Sequence, residues 1–288
     1  MKILILLPLF LLVLQLAQAE TVSYDEKGSD WTETCATGLY QSPIDISDVS
    51  DVCDESMVFD LSFDTGTSSI KMYDDGIAFK SLYTGSTLFA SDVNGVLTGY
   101  QSVNFHFHSP SEHTIEGVRY ALELHILHSI TSQFAAKGQT SYTYGAVGIL
   151  FEEDSSASAN PFITALQLGS LNTALSIDFN SVLYSQFPSP ITYYTYHGSV
   201  TVPTCAETVN WYVMSTPLKI TPTQMAYFTK RFSGNSSFAD GNGNNRELQP
   251  LNGRTIKKGG ETCEDQFVYF FSFLILFIFI NYFVFKLM

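Results

Sequence analysis

Three of the chain's six histidines fall within ten residues, in the segment NFHFHSPSEH at positions 104–113. His106 and His108 alternate with two phenylalanines, so both histidines are expected on one face of a strand. A second alternating run, ELHILH at 123–128, places His125 17 residues after His108. Three neutral imidazoles bind zinc well and leave a fourth tetrahedral position for water, an arrangement typical of catalytic zinc sites. The plainer alternative is a pair of half-buried strand histidines beside a turn.

The two histidine runs are expected to lie on neighbouring strands. Glu116 and Gly117, between the runs, suit a two-residue hairpin turn. Such a turn pairs positions that sum to about 233 and sets His108 opposite His125. The Ser-Pro step after His108 leaves this register open by a residue or two. Because a zinc-bound water ionises near pH 7, convergence of the three rings indicates chemistry that uses hydroxide under mild conditions.

The remainder of the chain consists of short apolar or alternating runs separated by glycine, aspartate and asparagine. This texture predicts a mainly β fold: a single domain with a large, mostly antiparallel, twisted central sheet and a few short peripheral helices. Helical pieces are expected around residues 160–168 and 222–228, and a polar loop at 240–246. The clearest runs of strand type are 57–63, 77–83, 144–151, 176–183 and 209–214.

Both ends of the chain indicate export and a membrane tether. Residues 1–19 combine Lys2, an apolar run and the small-x-small sequence AQA, as signal peptides do. Residues 266–288 are almost wholly apolar and about long enough to cross a bilayer. They are either a retained transmembrane helix or the discarded signal for a lipid anchor at the glycine pair 259–260. The folded domain is then residues 20–265, at the extracellular or lumenal face of a membrane.

The charge of this domain excludes one class of partner. Setting aside Lys2 and Lys286 leaves 12 of the 14 basic residues against all 28 acidic ones, a formal charge of −16. Such a surface repels nucleic acid, so no nucleic-acid partner is expected. The sequence leaves the oligomeric state open.

Five segments together resemble the α-class carbonic anhydrases, and the resemblance extends from about Tyr24 to Lys258. It implies a secretory, membrane-anchored enzyme that uses Zn²⁺ to hydrate carbon dioxide reversibly to bicarbonate, by attack of zinc-bound hydroxide. The segments that carry it are QSPIDI (41–46), NFHFHSPSEH (104–113), ELHILH (123–128), GSVTVPTC (198–205) and VNWYVM (209–214).

The resemblance implies that His106, His108 and His125 are the zinc ligands. Glu123 matches the carboxylate that steadies the third ligand, and Asn104 stands where the family commonly has a glutamine bonded to the first. The other two histidines of these segments are implied to be buried structural residues.

The resemblance also implies a catalytic pair, in which the carboxylate of Glu112 accepts the proton of the Thr201 hydroxyl. Ile77, in DGIAF, occupies the position where many fast members carry a proton-shuttling histidine. We therefore expect turnover limited by proton transfer and rescued by small buffers. At Val202 many members have a hydroxyl or a histidine, so contacts to bicarbonate are expected to be weaker. The implied walls of the carbon dioxide pocket are Leu127, Ala146, Val200, Val202 and Trp211.

Four cysteines in an exported domain indicate disulfides, and the residues alone allow three pairings. The resemblance implies a Cys35–Cys205 bridge, which leaves Cys53 and Cys263 as the second pair. Asn235, in NSS, is a glycosylation acceptor sequence.

Two other functions compete with the enzyme. A carbonic-anhydrase-like domain that has lost zinc would serve as a non-catalytic cell-surface binding module, but the implied ligand set here is complete. A zinc peptidase is disfavoured because the sequence contains no His-Glu-x-x-His.

Overall fold

The computed structural model describes residues 22–47, 49, 57–139 and 141–260. The predicted signal peptide, the C-terminal apolar segment and the predicted Cys53–Cys263 pair lie outside these residues. In the described ranges no helix is both long and apolar enough to cross a membrane.

Strands dominate the described chain. Their bounds are β1 (Asp45–Ile46), β2 (Phe59–Phe63), β3 (Ser68–Lys71), β4 (Tyr73–Asp74), β5 (Phe79–Leu82), β6 (Ser86–Ser91), β7 (Leu97–His108), β8 (Thr114–Ile115), β9 (Val118–Arg119), β10 (Leu122–Ile130), β11 (Tyr144–Glu153), β12 (Ala174–Ile177), β13 (Tyr193–Gly198), β14 (Val209–Met214), β15 (Leu218–Ile220) and β16 (Lys257–Gly259).

The helices are short and lie between the strands. They are α1 (Thr34–Thr37), α2 (Ser132–Ala135), α3 (Pro161–Ala165), α4 (Phe179–Val182) and α5 (Pro222–Arg231), with 3₁₀ turns at Leu168–Ser170, Tyr184–Gln186 and Ala239–Gly241.

One eleven-stranded sheet organises the molecule, in the order β16-β13-β14-β11-β10-β7-β5-β4, with β6 beside β7, β2 beside β6 and β15 beside β11. Its neighbours are antiparallel except where β11 meets β14 and β15. The predicted fold class is therefore confirmed: a mainly β single domain around a large, mostly antiparallel sheet with a few short helices.

Side-chain alternation along β7 separates core from site. Phe105 and Phe107 are fully buried in the main hydrophobic cluster on one face of the sheet. His106 and His108 therefore point to the other face, as the sequence predicted.

The segment 176–183 was predicted as one run of strand type, and that prediction is only half right. β12 ends at Ile177, and α4 begins after Asp178, whose side chain caps the helix by accepting the Ser181 N–H at 3.2 Å. The capping carboxylate converts an apolar strand-like run into a strand followed by a helical turn.

The predicted pairing of the histidine strands is wrong by two residues. The two-residue turn at Glu116 and Gly117 forms, with both residues at positive φ, but it joins the short β8 and β9. Between this small hairpin and the pairing of β7 with β10, the first arm has five residues (109–113) and the second arm has only three (120–122). The difference of two shifts the pairing, so His125 pairs with His106 and not with His108. A shift of two keeps every side chain on its predicted face.

Candidate metal centre

The three predicted ligands converge between β7 and β10. The ring centroids are 5.1 Å apart for His106 and His108, 5.3 Å for His106 and His125, and 4.6 Å for His108 and His125. One nitrogen from each ring falls in a group whose members all lie within 4.8 Å of one another. The sheet thus holds three imidazole nitrogens around one point.

Each ring has one nitrogen engaged elsewhere, which decides which nitrogen faces that point. His106 Nδ1 is 3.0 Å from Asn104 Oδ1, and His108 Nδ1 is 2.7 Å from the carbonyl oxygen of Asn244. His125 is bound the other way round, with Nε2 2.8 Å from Glu123 Oε1. The atoms left to converge are Nε2 of His106, Nε2 of His108 and Nδ1 of His125.

These rings are held neutral. Burial lowers the pKa of His108 to about 4, although the hydrogen bond to Asn244 opposes the shift. Burial and the two neighbouring rings hold the pKa of His106 well below its usual value, and burial lowers that of His125. Neutral imidazoles are the form that binds a metal ion.

Glu123 organises the floor of the site. Its Oε2 accepts the backbone N–H groups of Glu112 and His113, each at 2.8 Å. Its Oε1 accepts from His113 Nδ1 at 2.7 Å and from His125 Nε2 at 2.8 Å. Burial alone would raise the pKa of Glu123, but the two histidines and these donors hold it well below its usual range. An ionised carboxylate that accepts four hydrogen bonds fixes the orientation of His125.

Glu112 and Thr201 lie beside the ligands, as the resemblance implied. Glu112 is fully buried; its Oε1 accepts the Arg246 N–H at 2.8 Å and its Oε2 is 3.9 Å from His125 Nδ1. Burial raises the pKa of Glu112, while the Thr201 hydroxyl, which faces this carboxylate, lowers it. The contact between Thr201 and Glu112 falls short of full hydrogen-bond geometry, because Glu112 Oε2 has no hydrogen-bond partner among the described residues.

A cross-linked loop carries Thr201. The Val200 N–H donates to Ala206 O at 3.1 Å and the Cys205 N–H to Val202 O at 2.8 Å. The implied disulfide between Cys35 and Cys205 is present, with Cα atoms 5.0 Å apart and a sequence separation of 170. The bridge ties this loop to the N-terminal segment.

An apolar cavity of about 140 Å³ opens above the three rings. It is lined by all five predicted wall residues and by Ile77 at the predicted shuttle position. The sequence did not single out five other lining residues: Tyr24, Asp75, Ala78, Lys80 and Val209.

Two residues of the polar segment 240–246 complete the site, and they were not identified from the sequence. Asn244 lies fully buried, with its carbonyl on His108 and its Oδ1 accepting the Ser109 N–H at 2.7 Å. Gly243 permits this approach: its φ is +91°, and a β-carbon there would overlap the Ser109 carbonyl. Arg246 is 1 % exposed and donates to the Cys35 and Ser42 carbonyls. From the sequence alone this segment resembles an exposed polar loop, because the backbone groups that its side chains contact are distant in sequence and cannot be identified from local pattern.

The remaining histidines lie outside the group of His106, His108 and His125 and make other contacts. His113 bridges Glu123 and the Tyr196 hydroxyl, the latter at 2.6 Å. His128 is buried and bonds Ser86 Oγ at 3.1 Å, and burial lowers its pKa to about 4. His197 bonds Asp92 on the far side of the sheet.

The predicted glycosylation site follows α5. Asn235 is half-buried, and its Nδ2 donates to the Arg231 carbonyl at 3.2 Å. Its modification stays a prediction.

The donor set fits a zinc ion. His108 Nε2 is a buried nitrogen without a hydrogen-bond partner in the described chain, and two further imidazole nitrogens face the same point. A buried polar atom left unpaired is costly unless something else binds it. Three neutral nitrogens with an open cavity on the fourth side meet the requirements of a catalytic zinc site.

Known proteins are similar to this chain in both sequence and fold. Residues 26–259 match the family model described as eukaryotic-type carbonic anhydrase. A carbonic anhydrase of Klebsiella pneumoniae is 30% identical over 228 residues, covering 78% of this chain and 82% of the relative. Two solved structures are similar. An α-carbonic anhydrase of Photobacterium profundum has a TM-score of 0.61 at 27% identity, covering 82% of this chain and 100% of its own. A dioscorin complexed with ascorbate has a TM-score of 0.66 at 25% sequence identity, covering 85% of this chain and 100% of its own. The chain therefore belongs to the eukaryotic-type, or α-class, carbonic anhydrase family.

Proposed function

We propose that this chain catalyses the reversible hydration of carbon dioxide to bicarbonate and a proton, with Zn²⁺ held by His106, His108 and His125. The observation that carries the proposal is the buried, unpartnered Nε2 of His108, which converges with two other imidazole nitrogens below an apolar cavity. When bound there, zinc lowers the pKa of a coordinated water towards 7 and so supplies a nucleophile at neutral pH.

Thr201 and Glu112 orient the attacking oxygen. A threonine hydroxyl that gives its hydrogen to the ionised carboxylate has only lone pairs left for its other partner. It therefore accepts a hydrogen bond from the attacking oxygen and so turns that oxygen's own lone pair toward the carbon atom. Because Glu112 is buried and bonded to the Arg246 N–H, its carboxylate is fixed in place.

The cavity walls suit a neutral substrate without hydrogen-bond donors. Leu127, Val200 and Trp211 present apolar surface beside the rings, and Trp211 lies 4.8 Å from His125, centroid to centroid. The Trp211 indole N–H is spent on the Ser199 carbonyl at 3.0 Å, so the face it adds to the pocket is apolar.

Proton export limits this enzyme. Beyond the three ligands, no histidine of the described ranges lines the cavity, and the predicted shuttle position is Ile77. Turnover in dilute buffer should rise with imidazole concentration, and Ile77→His should raise it about tenfold without added imidazole. Fast turnover that is insensitive to imidazole would contradict this part of the proposal.

A non-catalytic binding module is the competing function. The similar fold of a dioscorin complexed with ascorbate means that the fold alone does not decide between them. The complete ligand set, with Thr201 beside Glu112, favours the enzyme.

The test combines metal analysis with carbon dioxide hydration measured by stopped flow. The wild type should hold one zinc ion per chain and hydrate carbon dioxide, whereas His108→Ala should lose both. His197→Ala removes a histidine outside the ligand set and should keep both. A His108→Ala variant that retains full zinc would show that the ligands are wrong.

We further propose that the enzyme is secreted and tethered, with residues 1–19 removed, 20–265 forming the catalytic domain and 266–288 forming a membrane helix or a lipid-anchor signal. The Cys35–Cys205 disulfide supports an oxidising compartment. Mass spectrometry of the mature C-terminus distinguishes the two anchors. Cleavage at the glycine pair would remove Cys263 and leave Cys53 unpaired, so a retained span is favoured.

A further inference from the structure

A second cavity, with a polar lining, lies on the far side of the β13–β14 strand pair. Trp211 faces the metal centre, and side-chain alternation turns Asn210 to the opposite face. The cavity measures about 260 Å³ and lies between the β6–β7 turn, the segment before β11, and strands β13 and β14. Its polar lining includes Asp92, Thr98, Gln139, Tyr142, His197 and Asn210.

Asn210 brings an unsatisfied acceptor to this cavity. The residue is 2 % exposed, and its Nδ2 donates to the Tyr100 hydroxyl at 2.9 Å. Its Oδ1 meets no donor anywhere in the described part of the chain. A buried oxygen left without a donor is unfavourable, so the position favours a ligand that donates to it.

Three neighbouring side-chain donors, those of Thr98, Gln139 and Tyr100, are used inside the protein. The Thr98 hydroxyl donates to Gln139 Oε1 at 3.4 Å, and Gln139 Nε2 donates to the Leu97 carbonyl at 3.0 Å. The Tyr100 hydroxyl donates to the Tyr142 carbonyl at 3.4 Å. None of these groups donates to Asn210 Oδ1, so a ligand would supply the donor for this oxygen.

Asp92 gives the cavity a negative charge. Its Oδ1 accepts the N–H groups of Asn94 and Val96, and its Oδ2 is 3.0 Å from His197 Nε2. Burial opposes ionisation, but these hydrogen bonds outweigh it and hold the pKa of Asp92 below its usual value. His197 is fixed in turn by stacking on Tyr142, with ring centroids 3.9 Å apart. No lysine or arginine is found among the described residues that line the cavity.

A bare metal ion fits this site less well than an organic cation. Asp92 and His197 are the only metal-ligating histidine or carboxylate side chains in the described lining, and they bond each other. They form no cluster of three such residues within the described chain. A ligand with several N–H donors offers a hydrogen bond to the amide oxygen and to the carboxylate, both in residues that line the cavity.

We infer that this cavity binds a small planar cation of the amidinium or guanidinium class, through Asn210 Oδ1 and the Asp92 carboxylate. The site is separate from the metal centre and does not depend on the activity proposed above.

Acetamidinium, acetamide and acetate provide a matched set of probes, since they share one shape and differ in charge and in donors. Titration of the zinc-loaded chain, followed by backbone amide chemical shifts, should show saturable binding of acetamidinium centred on residues 92–98, 138–139, 141–142 and 210. Acetamide should bind at least about tenfold more weakly, a difference of about 1.4 kcal/mol, and acetate should not bind.

Two variants separate the acceptor from general effects on folding. Asn210→Leu keeps the side-chain shape without the acceptor and should weaken acetamidinium binding at least about tenfold. Thr195→Val removes another buried oxygen without a partner among the described residues. Thr195 lies on β13, on the same face of the sheet as Asn210 but outside the cavity lining, so the substitution should leave binding unchanged. Far-UV circular dichroism checks that both variants fold.

Three results would overturn the inference: equal binding of the three probes, undiminished binding by folded Asn210→Leu, or no saturable binding by the wild type. A crystal soaked in acetamidinium that shows only water in the cavity would overturn it as well.

Discussion

The substitution Glu123→Gln tests the hydrogen-bonding core of the metal centre. The carboxylate accepts four hydrogen bonds, two from backbone N–H groups and two from imidazoles. An amide of the same size offers one accepting oxygen and one donating NH₂ group, so the two halves of the side chain are no longer equivalent.

Either orientation of the amide is unfavourable. With its NH₂ group toward the rings, His125 must accept at Nε2 and carry its proton on Nδ1, the atom that faces the metal position. With the NH₂ group toward Glu112 and His113, two buried backbone N–H groups lose their acceptor, at about 1–3 kcal/mol each. We therefore expect zinc affinity to fall about 10–100-fold. The free energy of unfolding of the zinc-free protein should fall by about 2–6 kcal/mol in the second orientation.

Zinc affinity is measured by competition with a chromophoric chelator, and unfolding of the zinc-free protein by urea titration. Glu153→Gln, which changes an exposed glutamate of β11, is the matched control and should alter neither quantity. A Glu123→Gln variant with wild-type zinc affinity and wild-type stability would refute the assigned role of the carboxylate.

Three further changes test other parts of the account. Thr201→Val should lower kcat/KM for carbon dioxide hydration at least about 100-fold with zinc content unchanged, and Thr201→Ser should retain most activity; a fully active valine variant would contradict the orienting role. Replacing Cys35 and Cys205 together by serine should lower the free energy of unfolding by about 2–4 kcal/mol in urea, and an unchanged midpoint would show that the bridge adds no stability. Burial lowers the pKa of His128 to about 4 in the folded state, against about 6.5 unfolded, so the unfolded chain binds the proton first and stability is lost as pH falls from 6.5 to 4. That loss should reach about 3 kcal/mol at pH 4 and be smaller in His128→Gln; equal pH slopes in urea titrations of the two proteins would contradict it.

The sequence predicted which faces the site residues occupy because strand periodicity is local. Alternation in NFHFH separates two buried phenylalanines from two histidines, and it holds whatever the register. The register itself depends on how many residues each arm of the hairpin contributes outside the main sheet, and local pattern does not determine that number. The prediction was therefore two residues off while the histidines still converged.

Contacts between distant segments could not be predicted in this way. The segment 240–246 was predicted only as a polar loop, yet Asn244 reaches His108 across 136 positions and Arg246 reaches Glu112 across 134. His197 had no assigned role until the fold brought it to Asp92. Buried polar residues of this kind resemble surface residues in composition, and only the tertiary partner distinguishes them.

Anomalous diffraction at the zinc absorption edge, on crystals of the protein as purified, tests the central claim most directly. We expect one strong peak bounded by Nε2 of His106, Nε2 of His108 and Nδ1 of His125, with no protein atom on the cavity side. A peak elsewhere, coordination through the other nitrogen of His125, or a protein side chain on the cavity side would contradict the account.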